Sequence, residues 1–153
     1  MAAGPITIYQ ANLDDLRMQD LLTATVKLSL HAATYTPNAA TAGHSVAADL
    51  TGEIANGAGY TTGGATLAGK LVTAVTGGWK FESDDPAWTA AGGNIPAWRY
   101  GVLRVDGALW GKTSPLIGYF VGDSTPADVP ATSDGNPLTI TCPASGWFDL
   151  TVA

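Results

Sequence analysis

Positive charge is scarce in this sequence: seven lysines and arginines stand against 13 aspartates and glutamates in 153 residues, a net charge of −6. Affinity for nucleic acid comes largely from cationic side chains that displace counterions from phosphates, so nucleic acid is not an expected partner. Histidine and cysteine are nearly absent, with His31, His44 and Cys142 the whole supply. A metal centre needs several converging imidazole, thiolate or carboxylate ligands, and a lone cysteine cannot close an internal disulfide. Neither a metal nor a cofactor is therefore expected. No apolar run reaches the roughly 18 residues that cross a bilayer, which leaves no membrane partner to expect. "MAAGPITIYQ" has neither the basic start nor the apolar stretch of a secretion signal, and this predicts a chain made and assembled in a cytoplasm.

What the chain does have is small and apolar residues. Hydrophobic residues make up 46% and charged residues 13%, against about 25% charged in an ordinary domain. So little charge predicts that part of the surface is covered by something else. Nineteen glycines and nine prolines punctuate the sequence and favour many short strands over long helices.

The strand signals are "PITIYQ" (5–10), "TVKLSLH" (25–31), "KLVTAVTG" with "WKFES" as a hairpin, "PAWTAA", "AWRYGVLRV" (97–105), "LIGYFVG" (116–122), "PLTITCP" (137–143) and "GWFDLTV" (146–152). In the second of these, Val26, Leu28 and Leu30 face one way, and Lys27, Ser29 and His31 are expected to face solvent. "NLDDLRMQDLL" (12–22) reads as a short helix or turn, with Asn12 placed to cap it. "HSVAADLTGEI" (44–54) reads as a second helical turn, opened by His44. The segment 121–137 reads as a long exposed loop. The fold class that follows is mainly β, an antiparallel β-sandwich or jelly roll of about eight strands with one or two short helices, in a single domain over 1–153. Residues 1–12 have two readings: an arm that adds a strand to a neighbour's sheet, or the first strand of the chain's own sheet.

No catalytic residues are expected. A nucleophile elbow is missing, and the adjacent pairs Asp14–Asp15 and Asp84–Asp85 read as solvated turn acids rather than two carboxylates held across a cleft. "GAGYTTGG" (57–64) lacks the following lysine of a phosphate loop and the third glycine of a dinucleotide fingerprint, so its glycines serve turns or close backbone crossings. Cys142, in "LTITCPA", reads as buried apolar filler. Trp98, Tyr100 and Val102 are expected to share one sheet face and to meet Trp88 there in a packed core, provided 86–90 pairs with 97–101. Trp79, Trp110 and Trp147 lie next to turns and are the candidate partner-interface residues, because aromatics are enriched at such surfaces.

Four stretches taken together resemble a group of small tailed-bacteriophage structural proteins. They are His44-x4-Asp49-x3-Glu53; Gly59-Tyr60-x-x-Gly63-Gly64-x-x-Leu67; Trp88-Thr89-Ala90 with Arg99-Tyr100; and Pro115-Leu116-Ile117-Gly118-Tyr119. The match as a whole covers about residues 25–153 in the same order, while "NIPAW" and "GALWGKTS" depart from the family pattern. The resemblance implies a virion component without enzymatic activity, described as a head decoration or a tail-associated protein. The expectation drawn from it is a capsid decoration (cement) protein on the exterior of the virion capsid, assembled in the host bacterial cytoplasm. Its expected partners are the major capsid protein and further copies of itself, as a homo-oligomer, most simply a trimer. A tail or neck component and a carbohydrate-binding module of a host-recognition fibre are the alternatives.

Overall fold

The computed structural model describes residues 1–152 except 124 and 126. It is mainly β, with antiparallel sheets and one α-helix, as a β-sandwich requires. The largest sheet has five strands, β1 (Thr7–Ile8), β2 (Val26–His31), β3 (Ala65–Thr66), β7 (Tyr100–Val105) and β10 (Leu116–Val121), in the order β1-β10-β7-β2-β3. A second sheet joins β4 (Leu71–Val75), β5 (Gly78–Glu82) and β12 (Phe148–Thr151), with β5 in the middle. Two further pairs complete the set: β6 (Ala87–Thr89) with β11 (Pro137–Thr139), and β8 (Ala108–Leu109) with β9 (Lys112–Thr113). Among the described residues twelve strands stand where about eight were expected, because several pairings last only two or three residues.

Period-two alternation gives the large sheet two apolar faces. Val26, Leu28 and Leu30 of β2, with Leu103 and Val105 of β7 and Ile117 and Phe120 of β10, point into the main core, where Phe81, Trp98, Trp147 and Phe148 meet them. Gly101 is bare because the Phe120 ring lies where its Cβ would be. Val102 and Leu116 point the other way, into a second cluster with Tyr9 and Tyr35, flanked by Leu50, Tyr100 and Tyr119. The strand face expected to be wet is therefore covered at Ser29 and His31, while Lys27 stays part-exposed. Ser29 and His31 are as buried as Leu28 and Leu30, with which they alternate. The cause is long-range: residues 32–54 pair beside the end of β2 and fold over that face, with the Tyr35 ring 5.1 Å from the His31 ring and the Thr51 carbonyl 2.8 Å from His31 Nδ1.

The helical expectations are corrected in the same way. Asn12 caps no helix. It is buried at the end of a 3-10 turn (Gln10–Asn12), and its amide donates to the carbonyls of Ser45 and Leu116 at 2.6 and 2.8 Å. The α-helix α1 is shorter and later, Met18–Thr23. Lys70 Nζ closes its C-terminal end by donating to the carbonyls of Leu21 and Ala24. Within 44–54 only a 3-10 turn forms, Ala47–Asp49, in which the Asp49 carboxylate accepts the Ser45 and Val46 N–H groups. Those bonds hold its carboxyl below the usual range. His44 lies before this turn, with its Nδ1 3.1 Å from the Tyr35 hydroxyl.

Trp88 and Trp98 are both in the core, but not through the pairing expected of them. Trp88 in β6 sits opposite Leu138 of β11. Trp98 precedes β7, stands edge-on to Phe120 at 6.3 Å and belongs to the main core, whereas Tyr100 and Val102 face the second one. The 121–137 segment, of which 124 and 126 lie outside the described residues, is tied down alongside it: Val129 bridges Trp98, Thr132 bridges Ile95, and Asp128 accepts from Arg99 Nε at 2.8 Å. Residues 7–8 pair within the chain, Thr7 opposite Tyr119 and Ile8 opposite Gly118. Cys142 is half-buried against the main core, and that burial pushes its thiol pKa up.

Candidate partner-binding surface

The three-stranded sheet extends beyond the core it helps to cover. Cross-strand register places Val72, Phe81 and Phe148 in one row and Ala74, Trp79 and Leu150 in the next, all on one face because they are two residues apart on each strand. The first row is sealed by the main core. The second has no such cover, since α1 and the preceding Leu16–Arg17 reach only the sheet's near half. Trp79 is 53% exposed, Leu150 43%, and Val152 beyond it 82%. Between this row and α1 lies a groove of about 240 Å³ lined by Leu16, Met18, Val72, Trp79 and Leu150, with Arg17 and Gln19 beside them.

Among the described residues that line it, only Arg17 is charged, and its side chain is 75% exposed. Its nearest carboxylate oxygen, on Asp20, is 3.9 Å away. The other oxygen of Asp20 accepts the indole N–H of Trp110 at 3.0 Å. Arg17 is thus held loosely.

The three tryptophans expected at a partner interface have three different fates. Trp79 is in the exposed row. Trp110 is half-buried and braces Asp20, so it stands behind the groove rather than in it. Trp147 is corrected outright: at 2% exposure it stacks on Phe120 at 6.2 Å, and its indole N–H donates to Ser83 Oγ. At that exposure its ring is part of the core rather than of the surface. Proximity to a turn did not separate the three, because what buries Trp147 is the five-stranded sheet across the core. Leu150, Leu16 and Arg17 were missed, although the shared parity of Trp79 with Phe81 and of Leu150 with Phe148 is visible in "WKF" and "FDL".

A second concavity, about 420 Å³, opens on the far face of the large sheet between Lys27, His31, Glu53, Gly63, Arg104 and Asp106. Lys27 and Arg104 are directly opposite on β2 and β7, a repulsive arrangement unless bridged. Asp106 bridges them, at 2.8 Å from Lys27 Nζ and 3.0 Å from Arg104 Nη1, and both contacts hold its carboxyl below the usual range. The Thr51 carbonyl, 2.8 Å from His31 Nδ1, can only accept, so Nδ1 carries the proton and Nε2 accepts from Ser29 Oγ at 2.9 Å. Burial lowers the pKa of this imidazole. A serine paired with a histidine has the outline of a nucleophile, but Ser29 is buried and does not line the cleft.

The motif residues of the sequence are engaged in similar internal work. Glu53 Oε1 accepts the Tyr60 hydroxyl at 2.7 Å and the Gly63 N–H at 2.6 Å. Tyr60 in turn accepts the Leu30 N–H at 3.0 Å, beyond the point where β3 stops pairing with β2. Gly64 has a φ of +81° and passes so close to β2 that a Cβ would collide with the Leu28 carbonyl. These residues fasten the 53–64 segment to the sheet. No protein-family model, curated protein or solved structure matches the chain. Among the described residues, no helix is long and apolar enough to cross a membrane.

Proposed function

We propose that this chain is a structural component of a tailed-bacteriophage particle, a capsid decoration protein that binds the outer surface of the head and braces its lattice. One observation carries the reading: a rigid, closed β-body leaves a row of large apolar side chains, Trp79, Leu150 and Val152, in solvent on the overhanging end of a sheet. Contiguous exposed apolar patches mark contact surfaces. The order of the four sequence motifs supports the same assignment. Such a patch is small, and arrays of identical sites on a lattice turn a weak contact into a lasting one, more so if the bound copies also touch one another as a trimer.

The test is to purify the particles, measure how many copies of this chain each carries, and image where they lie. Hundreds of copies on the outer head surface would agree with the proposal. A handful at one vertex or along the tail would move the assignment to a neck or tail component, and absence from particles would end it.

A further inference from the structure

We propose that the groove between α1 and the outer row of the three-stranded sheet receives one large apolar side chain of a partner protein, while an acidic residue next to it in the partner's sequence engages Arg17. This deepens the reading of the overhanging sheet face as a contact surface and rests on it.

The size of the groove selects the kind of occupant. At about 240 Å³ it is below the roughly 300 Å³ at which pockets for free small molecules begin, yet it has room for a single aromatic or branched side chain. Its floor of Leu16, Met18 and Val72 and its walls of Trp79 and Leu150 carry no charge, so the inserted group is apolar. The small area makes the contact a weak one, and charge argues against a second copy of this chain. A half-exposed tryptophan with two aliphatic neighbours offers on the order of 400 Å² of apolar surface, about half of the ~800 Å² per partner of a stable interface. Each copy also brings a net charge of −6 toward the other.

Charge selects the neighbour of the inserted group. Among the described residues that line the groove only Arg17 is charged, and its guanidinium is 75% exposed beside the apolar walls. Its tie to Asp20 is long, at 3.9 Å, and the other oxygen of that carboxylate accepts from Trp110. A partner carboxylate could meet the guanidinium without first breaking a close ion pair, and the fork geometry of arginine favours that contact.

The probes are two blocked pentapeptides, one with phenylalanine between two glutamates and one with phenylalanine between two lysines. Binding is read from the indole N–H resonance of Trp79 in 15N-labelled protein, assigned with a Trp79→Phe variant. The glutamate peptide is expected to move that resonance saturably at roughly millimolar concentration. The lysine peptide is expected to bind about tenfold more weakly, and Arg17→Glu, a change at an exposed side chain, to invert the preference. Equal responses to the two peptides, a silent Trp79, or a preference that survives Arg17→Glu would overturn the inference. So would self-association that Trp79→Asp abolishes, since a second copy would then be the occupant. Particles rich in this chain, combined with a silent Trp79, defeat this inference alone; selective peptide binding by a chain missing from particles defeats the proposed function alone.

Discussion

Replacing Tyr60 with phenylalanine removes one oxygen atom and leaves the ring packed against Trp88, 5.9 Å away. That oxygen holds two groups, since it accepts the Leu30 N–H at 3.0 Å and donates to Glu53 at 2.7 Å. Losing a hydrogen bond to a charged acceptor costs about 1.5–3 kcal/mol, and a buried amide left without a partner costs about 1–3 kcal/mol. Glu53 keeps its bond from Gly63 and lines an open cleft where water can reach it, so its share belongs at the low end. The expected loss is about 3 kcal/mol, a fall in Tm of roughly 6–12 °C for a domain of this size. Urea and thermal unfolding of Tyr60→Phe, Glu53→Ala and the double variant measure both the loss and the coupling between the two side chains. If Tyr60→Phe costs under about 0.5 kcal/mol, the range of ordinary surface changes, the motif does not fasten the 53–64 segment to the sheet and the account of it given above is wrong.

Trp147→Ala should cost about 3–5 kcal/mol in urea unfolding, whereas Trp79→Ala should stay within about 0.5 kcal/mol, because only the first empties a core; similar losses would refute the contrast. The buried His31 makes stability depend on pH. Its folded pKa lies below the 6.5 of the free side chain, so above pH 6.5 it is neutral in both states and its contribution is complete. As pH falls below that value the unfolded chain takes up the proton first and stability drops, until the folded pKa is passed. His31→Gln should flatten that part of a stability–pH curve, and an unchanged slope would assign it to other groups. Gly64→Ala requires a left-handed φ and a Cβ on the Leu28 carbonyl, and should sharply reduce the yield of folded protein; a normal circular dichroism spectrum and melt would contradict that geometry.

The strands were legible wherever alternation was clean. The β4–β5 hairpin forms between the two stretches expected, and "TVKLSLH", "YGVLRV" and "LIGYFV" make the adjacent strands at the centre of the large sheet. Pairing between distant segments was not legible. Trp88 found Leu138 rather than the segment after the Gly92–Gly93 turn, because register depends on which edges are left free once the sheets assemble. Asn12 shows the same limit. Locally it has the makings of a helix cap, yet two carbonyls from distant parts of the chain claim its amide.

The candidate surface divides along the same line. Trp79 was identified from sequence and is exposed, but the same argument chose Trp147, which the five-stranded sheet buries. Composition and period-two patterning, which are properties of neighbouring residues, determined that the chain is an acidic, mainly antiparallel β-protein with large aromatics in its core. Which faces stay wet was decided only by tertiary structure, because solvent exposure depends on whatever the rest of the chain lays across a strand. Residues 32–54 close over His31, while α1 stops short of Trp79.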